Sequence, residues 1–193
     1  MANVPLVVFN AQLLAGEASY RSAGISVYIA NLLRHLPPGL EDLRCLVFLG
    51  PGSLPGEIHF SARYTKIPAQ YPPFRVLWEQ FVLPLHLRRM EADLLHAPAF
   101  VGPLWSPCPQ VITVHDLSFL RYPALFKRSN RLYLKTMTGL ACRRAAAVIA
   151  VSHFTAEEVV RLLNVPSERV HVIHHGVDPS FCPLPSNDIA HFR

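Results

Sequence analysis

The chain alternates short runs of β-branched and aromatic residues with longer segments in which apolar residues recur every three or four positions. The first run, 4–10, is apolar on both faces, which is typical of a strand buried in a parallel sheet. The same reasoning predicts further strands at 43–50, 63–67, 93–97, 110–115, 146–151 and 169–173. Strands that alternate with helices in this way predict an α/β fold with a mostly parallel sheet.

Two helices are predicted in the first half of the chain. Apolar residues between 25 and 36 fall at helical spacing, and the Pro-Pro-Gly sequence that follows ends the helix. The segment 74–90 has a helical pattern that contains Pro84. Because proline lacks an N–H and clashes with the preceding turn, we expect this helix to end or kink at Leu83.

Two more helices are predicted in the second half. The longer covers 127–143, and the last runs through 156–163. Ser152 and Thr155 are both candidate N-caps for the last helix, and Thr155 with Glu158 fits a capping box.

The regular pattern ends after residue 175. Prolines and turn-forming residues dominate 176–193, which is typical of a linker that leaves a finished domain. The sequence therefore predicts one Rossmann-like three-layer sandwich at 1–175, followed by an interdomain linker at 176–193.

Composition narrows the class of protein. Of the 193 residues, 51% are hydrophobic and 16% are charged, which excludes an intrinsically disordered chain. No apolar run has the length and freedom from proline that a bilayer-spanning helix requires. The first residues lack the pattern of a secretory signal, and the four cysteines form no CxxC pair, so we expect reduced thiols in a cytoplasmic protein. A zinc site assembled from distant residues stays open.

Basic residues exceed acidic ones by 18 to 13, and the excess is concentrated in one stretch. Between Leu117 and Ala156 there is no acid, but there are seven basic residues: Arg121, Lys127, Arg128, Arg131, Lys135, Arg143 and Arg144. Two interpretations stay open, a solvated helix face and a surface for an anionic partner such as a phosphorylated ligand or acidic lipid.

Ligands of open α/β sheets bind beyond the carboxyl ends of the strands, where four segments of this chain meet. The first is the loop of small residues before the helix at Ile25. The N-terminus of that helix suits a phosphate, although an ordinary packing loop with Gly24 explains the same residues. Neither GxGxxG nor GxxxxGK[ST] occurs, which argues against a dinucleotide-binding or P-loop site.

The second segment is a predicted strand that ends in His115 and Asp116. A carboxylate beside an imidazole can fix its tautomer or raise its pKa, so His115 is a candidate functional residue, with a structural histidine as the alternative. The third segment contains Ser152, which is explained as an N-cap. The fourth contains His174 and His175, whose side chains would point to opposite faces of a strand, which argues against a shared metal.

In order along the chain, several motifs resemble the N-terminal domain of a family 4 glycosyltransferase of the GT-B fold. They are Ser22-Ala-Gly24-Ile-Ser-Val-Tyr28, Leu77-Trp-Glu-Gln80 with Leu83-Pro84, Asp93-Leu-Leu-His96-x-Pro98, Thr113-Val-His115-Asp116-Leu117, Ala147-Val-Ile-Ala-Val-Ser152, and Val172-Ile-His-His-Gly176-Val-Asp178 with Phe181-x-Pro183. Each motif is short, and their order and spacing make the set specific.

The resemblance implies transfer of a sugar from a nucleotide-diphosphate sugar to a glycan or lipid-linked acceptor. Retention of the anomeric configuration, no metal and no further cofactor are implied as well. Two Rossmann domains would face each other across a cleft, with the acceptor on the N-terminal one. By the same resemblance, the donor phosphate approaches Gly24, Ile25 and Ser26, and His115 reaches the transferred sugar. Asp116 orients the His115 loop, and Ser22, Arg121 and Ser152 are candidate acceptor contacts.

This chain departs from the family pattern at two points. Ser26 stands where the family often has a second glycine, and the Glu-x7-Glu motif of the C-terminal domain does not occur. We therefore expect an N-terminal half that is inactive without its C-terminal domain. A non-catalytic module that docks on anionic lipid or nucleic acid is the alternative. The first interpretation predicts a cytoplasmic protein, with the inner membrane face as a candidate surface and no nucleic-acid partner.

Overall fold

The computed structural model describes residues 4–14, 24–36, 42–51, 60–66, 72–177 and 181–183. Within them lies a parallel sheet with the strand order β3-β2-β1-β4-β5-β6-β7. The strands are β1 (Leu6–Ala11), β2 (Arg44–Leu49), β3 (Ser61–Tyr64), β4 (Leu94–Ala97), β5 (Gln110–Val114), β6 (Ala147–Ala150) and β7 (Val170–Val172). All seven predicted strands are present, and the predicted α/β fold with a parallel sheet is confirmed.

Strand β1 lies at the point where the direction of winding reverses. Val8 pairs with Leu46 of β2 on one side and with Leu95 of β4 on the other. The connections after β1 and β4 therefore lead away from each other, which opens a crevice beyond the carboxyl ends of these two strands.

The helices are α1 (Ile25–His35), α2 (Pro72–Leu77), α3 (Leu83–Arg89), α4 (Ser118–Arg121), α5 (Arg128–Arg144) and α6 (His153–Leu163). They cover both faces of the sheet. On β1, Phe9 packs in one core cluster with Ile29 of α1, whereas Val8 packs in another with Leu87 of α3. Because successive strand residues point to opposite faces, α1 and α3 lie on opposite sides of the sheet.

Of the two outcomes predicted for Pro84, an end or a kink at Leu83, the structure contradicts the end. A π-helical turn over Trp78–Val82 joins α2 to α3, and Leu83 has α-helical dihedral angles. A π turn is hydrogen-bonded from residue i to i+5, which changes the ladder just where Pro84 has no N–H to donate. The helical segment therefore continues through the proline.

Other differences are local. Ser152 is the N-cap of α6 and accepts a hydrogen bond from the Thr155 N–H, which excludes Thr155 as the cap. The predicted Thr155–Glu158 capping box is not formed, because Ser152 is the N-cap and Glu158 therefore lies beyond the first turn of α6, where it forms an ion pair with Arg121. Helix α6 begins at His153, and the short α4 was not predicted. Strand β3 begins and ends earlier than expected, and most of the predicted linker lies outside the described residues.

Among the described residues, no helix combines the length and the apolar character needed to cross a bilayer.

Candidate functional site

His115 follows β5 at the carboxyl edge of the sheet, and its ring is held from one side. Its Nε2 lies 2.9 Å from the carbonyl oxygen of Pro98, which follows β4. A carbonyl oxygen only accepts, so Nε2 carries the proton of this hydrogen bond. In the neutral ring, Nδ1 is therefore the nitrogen with the free lone pair.

The surroundings of His115 favour this neutral form. Burial lowers the pKa of His115, and His175 lowers it further, whereas the Pro98 carbonyl and Asp116 oppose the shift. The sequence-based suggestion that Asp116 raises the pKa is therefore outweighed by desolvation. At neutral pH the ring is a hydrogen-bond acceptor at Nδ1 rather than a cation.

Three aromatic rings surround His115. The Tyr28 centroid lies 4.8 Å away and edge-on, Phe100 lies at 5.6 Å, and His175 lies at 5.5 Å and perpendicular. Tyr28 also stacks on His175 at 4.8 Å. The Tyr28-His115-His175-Phe100 group, called the His115 cluster below, brings together α1, the ends of β4 and β5, and the segment after β7.

Below the His115 cluster, buried side chains satisfy one another. The Thr113 hydroxyl lies 2.9 Å from His96 Nε2 and 3.4 Å from the Tyr28 hydroxyl. Burial lowers the pKa of His96 to about 4, so this second histidine is also neutral. Phe100 adopts a left-handed φ of 56°, which non-glycine residues seldom do, and its N–H donates to the Thr113 carbonyl at 2.9 Å.

Ser152 and Asp116 support the loop that contains His115. The Thr155 hydroxyl lies 3.0 Å from Ser152 Oγ and donates to the His115 carbonyl at 3.3 Å. The Asp116 carboxylate accepts a hydrogen bond from the Ser118 N–H at 2.8 Å, at the start of α4. In this structure both predicted site residues therefore hold backbone near His115.

The N-terminus of α1 opens toward the same edge. Gly24 is its N-cap with φ 62°, and no atom of the described residues lies within 4 Å of the place where a Cβ would stand. Ile25 packs against the core, and the Ser26 side chain is buried. Tyr28 connects this turn to His115, so the structure brings Gly24 and His115 to one edge. Ser22 lies outside the described residues.

Arg121 has partners of its own. Its guanidinium lies 3.3 Å from the buried Glu158 carboxylate and 4.9 Å from the Phe154 ring centroid. The side chain is 41% exposed, so one side of the guanidinium faces solvent. The two adjacent histidines diverge as predicted: His174 contacts Val151 and His153, whereas His175 joins the His115 cluster. The described residues contain no group of three metal-ligating side chains.

A cavity lies next to the His115 cluster, in the crevice between β1 and β4. Pro98 and Phe100 belong both to its wall and to the surroundings of His115. Glu79, from the π turn, is buried in its wall. The sequence indicated the position of the crevice but not this glutamate.

Residues 22–181 match the family model for Glycosyltransferase Family 4. The chain belongs to glycosyltransferase family 4. The match covers most of this family 4 domain, from the loop before α1 to the segment after β7, and it confirms the resemblance carried by the motifs.

Relatives support the same assignment at the level of fold. A stretch of 71 residues is 31% identical to the O-antigen chain mannosyltransferase RfbU of Salmonella typhimurium and covers 37% of this chain and 20% of that enzyme. HepE of Anabaena, solved with UDP and glucose, is 21% identical at a TM-score of 0.59, over 98% of this chain and 49% of HepE. The apo lipopolysaccharide outer core galactosyltransferase WaaB is 12% identical at a TM-score of 0.57, over 95% and 50%. The family 4 domain thus spans about half the length of these GT-B structures.

Sequence reasoning missed several groups around His115. Pro98 and Tyr28 belong to the motifs that carry the family resemblance, but the sequence predicted no functional role for them. Phe100 belongs to none of these motifs. The signal was present for Pro98, because parallel strand ends that neighbour each other place the residue after β4 beside the residue after β5. No sequence signal indicates the left-handed Phe100.

Proposed function

We propose that the protein to which this domain belongs is a retaining glycosyltransferase. It moves a hexose from a nucleotide-diphosphate sugar to a glycan or lipid-linked acceptor, and residues 1–175 form its acceptor-side domain. The observation that carries this proposal is the neutral His115 at the same sheet edge as the N-terminus of α1. HepE was solved with UDP and glucose, which supports a nucleotide-sugar donor.

Each group in the His115 cluster has a defined task in this proposal. His115 accepts a hydrogen bond from a hydroxyl of the transferred sugar at Nδ1, since Nε2 is occupied by Pro98. Asp116 and Ser152 keep the His115 backbone in place through Ser118 and Thr155. A neutral imidazole suits this task, because an imidazolium has no lone pair to offer.

The N-terminus of α1 stabilises the departing nucleotide diphosphate. Negative charge develops on the leaving phosphate, and the helix dipole at this N-terminus favours an anion there. The open space at Gly24 admits close approach of a phosphate oxygen. Ile25 and Ser26 complete this donor-phosphate loop through their backbone, since their side chains face the core.

The acceptor side uses Ser22, Arg121 and Ser152. Arg121 binds an anionic acceptor group through the exposed side of its guanidinium, while Glu158 and Phe154 hold the other side. Because this ion pair already neutralises much of its charge, Arg121 orients an acceptor more than it attracts one.

A C-terminal domain of the same protein supplies the remaining donor contacts. The chain spans about half of its structural neighbours, and closure of a two-domain cleft is what positions donor against acceptor. We therefore expect residues 1–193 alone to be inactive and to bind nucleotide sugars weakly or not at all. Calorimetry that gave a dissociation constant on the order of 1 μM for these residues would contradict this part of the proposal.

The experiment that tests the activity uses the full-length protein and a panel of nucleotide-diphosphate sugars, with release of nucleotide diphosphate as the readout. Wild type is expected to turn over one donor, and His115→Ala to lower kcat at least about 100-fold, which is the scale of losing one transition-state contact. The matched control is His171→Ala, an exposed histidine of β7. Equal activity of both variants would overturn the role of His115, and no turnover with any donor would overturn the function.

In this proposal the protein is cytoplasmic, and its basic stretch is the surface that binds the inner face of the membrane. Leu125 and Leu132 are 80% and 66% exposed, and the basic side chains that accompany them are Lys127, Arg128, Arg131 and Lys135. Apolar side chains with a basic surround favour an anionic bilayer, at roughly 1 kcal/mol per Lys or Arg. Sedimentation with vesicles should show binding that increases with acidic lipid, and binding independent of acidic lipid would refute this surface.

A further inference from the structure

The π turn directs three consecutive side chains toward the interior. Because bonds from residue i to i+5 widen the turn, successive residues rotate less about the axis than in an α-helix. Trp78 packs in the core, with its ring 5.3 Å from Phe48. Gln80 bonds the loop between β4 and β5, since its Nε2 donates to the Gly102 carbonyl and its Oε1 accepts from the Leu104 N–H. Glu79 lies between them, only 4% exposed, in the wall of the cavity.

Glu79, unlike Gln80, has a side-chain oxygen that is left unpaired by the described residues. Within the part of the chain that the structure describes, Glu79 Oε1 is buried without a hydrogen-bond partner, and so are Asn10 Oδ1 and Gln12 Oε1. All three residues line the same cavity. Buried polar atoms are nearly always satisfied, so these three acceptors, together with the buried Tyr133 hydroxyl in the same wall, indicate a missing ligand or water.

The hydrogen bonds around Gln12 fix the direction of its amide. The Thr65 hydroxyl donates its single proton to the Leu49 carbonyl at 3.0 Å. It must therefore accept from Gln12 Nε2, which lies 3.1 Å away. Gln12 Oε1 is therefore the amide atom that has no hydrogen-bond partner among the described residues.

These acceptors select the chemistry of the ligand. Three unpaired oxygens require hydrogen-bond donors, which an inorganic anion such as phosphate does not supply in sufficient number. Arg75 in the same wall disfavours an ammonium group. Leu13, Val101 and Leu134 add apolar surface. A ring that combines several hydroxyl groups with a C–H face satisfies all these conditions.

We propose that this cavity binds an uncharged sugar ring of the acceptor, with Glu79, Asn10 and Gln12 as hydrogen-bond partners of its hydroxyl groups. The proposal rests on the proposed function only where it assigns the sugar to the acceptor. Pro98 and Phe100 lie between the cavity and His115, so a glycan bound here extends toward the reacting centre. Burial raises the pKa of Glu79 to about 8, and the neutral acid both donates and accepts.

The first test measures binding, not activity. Methyl glycosides of mannose, glucose and galactose are titrated onto the 193-residue chain by saturation-transfer NMR, with inorganic phosphate in a parallel series. At least one glycoside is expected to bind with a dissociation constant on the order of 1 mM. Glu79→Leu should weaken it at least about ten-fold, and Glu79→Gln, which keeps a neutral donor and acceptor, should stay within about three-fold. Glu157→Gln, on the exposed face of α6, is the matched control.

Thermal unfolding separates a binding role from a structural one. Because Glu79 has an unsatisfied buried oxygen, Glu79→Leu should unfold at the wild-type temperature or above, whereas a structural glutamate would lower the Tm when replaced. Three results would each overturn the proposal: no glycoside binding, equal binding by wild type and Glu79→Leu, or a crystal structure at high resolution that shows only buried waters on all three oxygens.

In the full-length protein the two proposals fail differently. Glu79→Leu should raise the KM for the acceptor at least about ten-fold, whereas the Glu157→Gln control should leave this KM unchanged. Turnover without glycoside binding in the cavity would refute the cavity proposal alone. Glycoside binding without turnover of any nucleotide sugar would refute the glycosyltransferase proposal and leave a sugar-binding site.

Discussion

The His115 cluster and the cavity lined by Glu79 lie side by side, yet buried polar atoms are hydrogen-bonded around the first and unpaired in the second. Around His115, Pro98, Thr113 and Thr155 are linked by hydrogen bonds to the neighbouring rings and carbonyl groups. In the cavity, buried oxygens of Asn10 and Glu79 have no partner among the described residues. In the first region hydrogen bonds fix the orientation of the side chains, whereas in the second these acceptors form no hydrogen bond with the described residues.

This difference separates positioning from recognition. A satisfied network holds a ring such as His115 in one orientation, whereas unsatisfied oxygens cost stability until something binds to them. Natural proteins depart from complete satisfaction mainly at functional sites. The comparison therefore predicts opposite signs for substitutions in the two regions, and the following measurements test it in order of expected size.

The largest effect is expected at Trp78, the structural neighbour of Glu79 in the π turn. Trp78→Ala should lower the free energy of unfolding by about 3–5 kcal/mol, because it removes a buried ring from the core cluster behind β1 and β2. Urea unfolding measures this loss. The control is Phe81→Ala in the same turn, where a side chain 67% exposed should contribute about 0.5 kcal/mol or less.

Thr113→Val should be the costly polar substitution below the His115 cluster. It removes the hydroxyl that His96 and Tyr28 share and leaves a buried imidazole nitrogen unpaired, at about 1–3 kcal/mol. Thr136→Val on the exposed face of α5 is the control for the same denaturation measurement. If Thr113→Val left the free energy of unfolding unchanged and Glu79→Leu lowered it, the contrast between the two regions would be the opposite of the one expected.

The two regions should also respond oppositely to pH. Burial lowers the pKa of His96 from 6.5 to about 4, so the unfolded chain gains a proton first and stability is lost as pH falls from 6.5 to 4. Burial raises the pKa of Glu79 from 4.5 to about 8, so the folded chain keeps its proton longer and stability is lost as pH rises from 4.5 to 8.

Between pH 6.5 and 8, Glu79 therefore makes the free energy of unfolding depend on pH, whereas His96 does not. Wild type should lose stability relative to Glu79→Gln in this window, by up to about 1.4 kcal/mol per pH unit. Denaturant titrations of both proteins at several pH values give the difference, in which other titrating groups cancel. Parallel pH profiles for the two proteins would mean that Glu79 is not held protonated by the fold.

The smallest effect is expected at the cap of α6. Ser152→Ala removes the acceptor of the Thr155 N–H and should lower the free energy of unfolding by about 1 kcal/mol. Ser167→Ala, an exposed serine in the turn before β7, provides the comparison. If Ser152→Ala and Ser167→Ala lowered the free energy of unfolding by the same small amount, the hydrogen-bond network around His115 would not extend as far as Ser152.

The strands and most helices could be predicted because burial on both faces leaves a strong apolar pattern. His115 could be found for a related reason, since the end of a buried strand is where parallel sheets bind ligands. Glu79 could not be found. A single glutamate in a helical segment normally faces solvent, and only the π turn brings it to the inner face. Phe100 was equally hidden, because its neighbours include no residue that favours a left-handed backbone.

The π turn also contains one residue more than the α-helical winding on either side of it needs, because it closes at i+5 where an α-helical turn closes at i+4. Deleting one position within Trp78–Val82 would restore α-helical winding and leave α2 and α3 in nearly the same relative rotation. Leu83 and Leu87 would keep their places in the core and Arg75 its place in the cavity wall, while the run of consecutive inward side chains that includes Glu79 would lose one member. A change of length by one residue at this point is therefore a route by which related chains could gain or lose a polar group in the pocket without rebuilding the sheet.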